Sequence, residues 1–145
     1  MRDRLMAETR AALKAQNKPR LSALRLISAA LQERDIAAKA PIPDADIPAL
    51  LQKMIKQRRE SLAIYEKAGR TEQAAQEAGE IAVIEEFLPK QMSEAEAREA
   101  IAAAIKETGA AGPKDMGKVM GLLKQRHAGQ MDFGKASGLV KELLG

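Results

Sequence analysis

The sequence predicts an all-α protein, and three observations carry that prediction. Apolar residues recur at i, i+3, i+4 and i+7 along most of the chain, the period of a helix with one buried stripe. Proline and glycine breaks and capping residues separate these stripes. No stretch alternates apolar and polar residues as a half-buried strand would. The expected arrangement is an N-terminal four-helix domain over residues 1–90 followed by a small three-helix domain over residues 91–145.

Residues 3–16 read as the first helix, with Leu5, Thr9, Ala12 and Leu13 on one side and Arg4, Arg10 and Lys14 largely outside it. Asn17-Lys18-Pro19 breaks it. The second runs from Pro19 to about Ala38, burying Leu21, Leu24, Ile27 and Leu31 and leaving Arg20, Arg25 and Arg34 to solvent. Ala40-Pro-Ile-Pro-Asp44 ends it, because proline cannot continue a helix interior. A third helix, from Asp44 or Asp46 to Lys67, aligns Ile47, Leu51, Met54, Leu62 and Tyr65, but Arg58 falls on the same stripe. A charge there needs a partner.

After Ala68-Gly69-Arg70, Thr71 is placed to cap a fourth helix through Leu88, with Glu77, Ile81, Ile84 and Leu88 on one face. Folding the third and fourth helices back on each other about residue 69 brings Arg58 within a turn of Glu77 and Glu80. An ion pair from Arg58 to one of them is therefore expected. Pro89 disfavours helix at Leu88, and the capping box Ser93-x-x-Glu96 opens the next helix, so the chain divides near residue 90.

The fifth helix, to about Thr108, buries Ala97, Ile101, Ala104 and Ile105. Gly109-Ala-Ala-Gly112 links it to a sixth that starts at Pro113 and ends before Gly129, a placement that suits both residues. Asp132 then caps a last helix with Phe133, Ala136, Val140, Leu143 and Leu144 inward and Gly134, Lys135, Gly138 and Lys141 outward.

The sixth helix is the expected functional element. Met116, Val119, Met120 and Leu123 form its core stripe, so the methionines act as core fillers. The opposite face holds Lys114, Lys118, Gln125, Gly117 and Gly121. Each glycine in a helix interior costs roughly 1 kcal/mol relative to alanine, so something should compensate. A glycine ridge lets another helix pack closely, or lets a sugar-phosphate backbone lie against the helix; neighbouring lysines favour the second.

Composition narrows the partner. The net charge of +4 and a pI near 9.4 permit a polyanion. Residues 1–70 hold 15 basic and 8 acidic side chains, whereas residues 71–99 hold 2 and 8. That polarity points to a shaped anionic target rather than uniform coating of DNA. Only Tyr65, Phe87 and Phe133 are aromatic, too few to read single strands by stacking.

With no cysteine there is no disulfide, thiolate nucleophile or cysteine zinc site. Glu85 and Glu86 have no histidine or metal-ligand partner beside them, and His127 at a helix C-terminus complements the dipole. No catalytic residue, cofactor or metal is expected. The Met-Arg-Asp-Arg-Leu start has no apolar signal core, and no run approaches ~18 apolar residues, so a cytoplasmic location without membrane contact is expected.

Taken together, the motifs resemble the YqeY family over nearly the whole chain. The residues that carry the resemblance are Ser22-Ala-Leu-Arg-Leu-Ile, Lys56-Gln-Arg-Arg-Glu-Ser-Leu with Tyr65 and Ala68-Gly-Arg, and Glu80-Ile through Phe87-Leu-Pro. Further along they are Lys114-Asp-Met-Gly-Lys-Val-Met-Gly and Leu139-Val-Lys-Glu-Leu-Leu. In that family the C-terminal part is similar to the tail domain of the B subunit of the glutamine-dependent tRNA amidotransferase. There the tail helps to hold the tRNA by its outer body.

The resemblance implies a helical N-terminal domain joined to a helical tail, with tRNA as partner, or a protein of tRNA aminoacylation or amidation. It does not carry over the amidotransferase chemistry, whose sites lie outside the tail. A label of carbon-nitrogen ligase activity with glutamine as donor describes the parent complex. The residues expected to meet phosphate are Lys114, Lys118, Lys124, Arg126, Lys135 and Lys141, with Gly117 and Gly121 permitting close approach. The alternative is a protein-protein adaptor in which the same ridge accepts a partner helix.

Overall fold

The computed structural model describes residues 1–145, and every regular element in it is helical. Seven α-helices follow one another: α1 (Arg2–Lys14), α2 (Lys18–Ala38), α3 (Ile47–Lys67), α4 (Thr71–Glu85), α5 (Glu94–Thr108), α6 (Met116–Arg126) and α7 (Phe133–Leu144). The chain separates into two compact units, Met1–Leu88 and Pro89–Gly145, each with its own core. No helix is long and apolar enough to cross a membrane.

In the first unit, α2, α3 and α4 contribute the fully buried Leu24, Leu51 and Ile84, and Phe87 joins the same cluster. Asn17 begins α2 by accepting a hydrogen bond from the Arg20 backbone N–H, the usual relief for an unpaired helix-start donor. Gly69, at φ +70°, makes the tight reversal between α3 and α4 in a conformation that costs glycine least. Thr71 does not cap α4 as expected. Arg70 holds the half-in backbone conformation at that start, leaving Thr71 already helical and without a side-chain cap bond.

Leu13, expected inside, is 58% exposed. It sits about 80° round α1 from Leu5, at the margin of the stripe. Arg20, expected in solvent, lies one turn before Leu24 on the buried stripe of α2. It reaches Glu86 at 2.6 Å and Glu8 at 2.9 Å, drawing α1, α2 and the end of α4 together. Arg2 likewise forks onto Asp35 at 2.8 and 2.9 Å, and its guanidinium holds that carboxyl below the usual carboxylate range.

The charge on the α3 stripe finds its partner on α4. Arg58 Nε donates to Glu80 Oε2 at 3.1 Å, and Glu80 is only 9% exposed. Gln76 donates to the other carboxylate oxygen at 3.3 Å. One turn before Glu80, Glu77 keeps a buried Oε2 with no hydrogen-bond partner. Burial first, and the Glu80 charge second, push the Glu77 carboxyl above its ordinary range, with Arg58 opposing them.

A carboxyl raised in the folded state binds its proton more tightly there than in the unfolded chain. Its stabilising contribution is therefore present at low pH and is lost as pH rises through the carboxylate range. Glu77→Gln keeps the shape without the charge. Its melting temperature should equal that of the wild type below pH 4 and exceed it at pH 7, read by circular dichroism across that range.

The second unit gathers Ile101 of α5, Val119 and Leu123 of α6, and Ala136 and Val140 of α7. Ser93 and Glu96 form the reciprocal capping box: the Ser93 hydroxyl accepts from Glu96 N–H at 3.2 Å, and Glu96 accepts from Ser93 N–H at 3.4 Å. Gly109, at φ +68°, closes α5. Asp132 caps α7 by accepting from Gly134 and Lys135 N–H. Leu143, expected inward, is 42% exposed at the edge of the α7 stripe.

Candidate nucleic-acid interface

The ridge helix is built on a short α-helix preceded by a single 3-10 turn over Pro113–Asp115. The sequence predicts a helix start at Pro113; the α-helical register begins at Met116 instead, so Lys114 lies in the turn. Val119 and Leu123 are buried, with Met116 and Met120 half-buried beside them, and this anchors the inner side of α6. The orientation of its outer side is fixed by that anchoring.

On that outer side Gly117 and Gly121 are exposed, and a Cβ built on either would meet nothing within 4 Å. Their own chain does not cover them. Lys118 and Lys124 are both exposed and lie about 60° to either side of Gly121 around the helix. Gln125 falls between Gly121 and Lys118, and Lys114 is exposed in the preceding turn. The result is a strip of low glycine backbone, interrupted by Gln125, with a lysine on either side.

Asp115 tempers one end of it. Its carboxylate accepts from Ala111 N–H at 3.0 Å and lies 3.9 Å from the Lys118 ammonium. A carboxylate at the start of α6 already complements the positive end of the helix dipole. The helix start is thus already matched by a carboxylate, and the Lys118 charge is partly offset by the same group.

Arg126 belongs elsewhere. It lies about 140° round α6 from Gly121 and forms a two-pronged ion pair with Glu107 of α5, whose carboxyl it holds below the usual range. Nothing local in the sequence links residues 19 apart, so the pair is not legible from it. Only the packing of α5 on α6 links them. Arg126→Ala should accordingly change affinity for a polyanion at the ridge by less than about twofold, measured by nitrocellulose filter binding beside Lys118→Ala.

On α7, Gly134, Lys135, Gly138 and Lys141 are all exposed, and a Cβ at Gly138 would also meet open space. The same face carries Glu142, 3.6 Å from Arg98 of α5. This second strip is therefore less cationic than the one on α6. His127 follows α6 and sets its Nδ1 3.0 Å from Gln130 Oε1, in keeping with a closing role. Glu85 and Glu86 are taken up by Arg59 and Arg20. No group of three or more acidic or histidine side chains is placed to hold a metal ion.

Compared with known proteins, the chain matches the family model described as Yqey-like protein over residues 2–144. No curated protein matches it.

Proposed function

The chain belongs to the YqeY family, and on that premise we propose that it is a non-catalytic module that binds tRNA through its C-terminal unit. In this reading the first unit is a four-helix body and the second a three-helix domain like the amidotransferase tail, acting in the cytoplasm. The observation that carries the proposal is the uncovered glycine ridge of α6, Gly117 and Gly121, between the exposed Lys118 and Lys124.

Gly121 stands in the interior of α6, where glycine costs roughly 1 kcal/mol relative to alanine, and Gly117 stands in its first turn. They serve no packing against another element, since no atom beyond the helix's own local backbone lies within 4 Å of a Cβ placed at either position. Flexible lysine ammonium groups suit phosphate oxygens as point charges, and bare backbone lets a sugar-phosphate strand come close. Lys114, Lys118 and Lys124 are the principal contacts, with Lys135 and Lys141 on α7 as secondary ones. The scarcity of aromatic side chains supports backbone contact over base stacking, so recognition follows the shape of the tRNA body.

Filter binding with bulk tRNA at low ionic strength tests this. Wild-type chain retains the RNA, and the double variant Lys114→Glu, Lys118→Glu loses at least about tenfold in affinity, because phosphate contacts supply most of such binding. Equal retention by both proteins, or none by either, rejects the proposal. Retention abolished by a competing protein but indifferent to salt would mark the ridge as a helix-docking surface instead.

A further inference from the structure

A second feature of the C-terminal unit lies on a different side of α6 from the ridge. Between α5 and α6 runs an open groove of about 340 Å³. Its α5 wall is made low by Ala100, Ala103 and Ala104, and its floor by Leu122 of α6. Ala103 is exposed and Leu122 only half-buried, so apolar surface faces solvent here. Alanines lose no rotamer freedom when covered, which favours close approach of another backbone.

The rim is acidic. Glu96 and Glu99 line it from α5, and both are exposed. The cation that also borders it, Arg126, is neutralised by Glu107, and His127 is engaged with Gln130. An anionic rim repels phosphate, so the groove is not a continuation of the proposed RNA surface. The stretch from Glu96 to Glu107 spans three turns of α5, about 16 Å, the length of three turns of a second helix.

We propose that this groove docks one basic amphipathic helix of a partner protein, its small apolar face on Ala100, Ala103 and Leu122 and a lysine or arginine beside Glu99. Charge complementarity selects the occupant. An acidic helix meets the carboxylates of Glu96 and Glu99, while a basic one places its flexible apolar stem along the alanines and its head at the rim. The C-terminal unit then has two faces of opposite sign, one for nucleic acid and one for protein.

The test uses the full isotope-labelled chain and a synthetic 14-residue helical peptide with leucine and alanine on one face and lysines on the other. Backbone resonances of Ala100, Ala103 and Leu122 shift on titration. The same peptide with glutamates in place of lysines leaves them unmoved. Glu99→Lys weakens the lysine peptide by roughly fivefold, and Ala103→Phe, which fills the groove, abolishes the shifts. Unchanged melting curves show that both variants are folded.

Lys114→Glu with Lys118→Glu leaves peptide binding intact, which separates this surface from the ridge whether or not tRNA binds there. The proposal is overturned if the shifts gather on α1 beside the exposed Met6 and Leu13, or if Glu99→Lys has no effect. It is overturned equally if the glutamate peptide binds as well. Concentration-dependent self-association of the wild type that Glu99→Lys abolishes would make the occupant a second copy, and would also overturn it.

Discussion

Replacing Gly117 and Gly121 together by alanine is expected to stabilise the protein while destroying tRNA binding. In the free chain neither new methyl group meets an atom beyond the helix's own local backbone within 4 Å, so no clash opposes the change. Both positions are helical with φ in the ordinary negative range; alanine gains roughly 1 kcal/mol over glycine at the interior Gly121 and less at Gly117, in the first turn. The double variant should therefore gain roughly 1–2 kcal/mol in denaturant unfolding, most of it from Gly121. The same methyl groups stand where a sugar-phosphate strand would lie, and affinity for tRNA should fall by at least about tenfold, equivalent to one well-placed contact set lost. Opposite signs for stability and binding distinguish a ligand surface from a packing ridge. Gain in stability with full retention of binding would mean the glycines have no role in docking.

The second large effect concerns the core that holds the ridge in place. Ile101 is fully buried in one core cluster with Val119, Leu123 and Val140. Truncation to alanine removes most of that contact and leaves a cavity, a loss of about 2–5 kcal/mol. A small helical unit has few kcal/mol to spare. Ile101→Ala should unfold the C-terminal unit at 37 °C, with the first unit intact because its core of Leu24, Leu51 and Ile84 is separate. In a two-dimensional amide spectrum, resonances from residues 89–145 should collapse to unfolded positions and those of residues 1–88 stay dispersed. Simultaneous loss of both sets would show that the two cores are energetically one.

Much of this was legible in the chain because its signals are local. The helical class followed from apolar spacing, and the capping box of Ser93 with Glu96 followed from three-residue spacing alone. Asp132 as the cap of α7 followed in the same way. Arg58 was a productive anomaly: a charge on an apolar stripe demanded a partner, and the reversal at Gly69 pointed to Glu77 or Glu80, with Glu80 the partner found.

The features that the sequence does not reveal share a cause. Arg20 and Arg126 have long side chains whose partners lie on other helices, and helix periodicity says nothing about reach between elements. Leu13 and Leu143 sit at stripe edges, where a neighbour's width decides burial. The start of α6 moved from Pro113 to Met116 because a 3-10 turn intervenes, and that turn takes Lys114 out of register with Lys118. The openness of Gly117 and Gly121 was beyond sequence altogether, since glycine one turn from glycine serves helix packing and ligand approach equally well.

Glycine amides resonate apart from most others, so the ridge can be watched directly. The decisive experiment adds bulk tRNA to isotope-labelled protein at low salt and follows the Gly117 and Gly121 resonances. Docking on α6 predicts that these two shift or broaden first, together with Lys118 and Lys124, and that the change reverses as salt is raised. If tRNA binds while both glycine resonances stay unmoved, or fails to bind at all, the ridge is not the RNA surface.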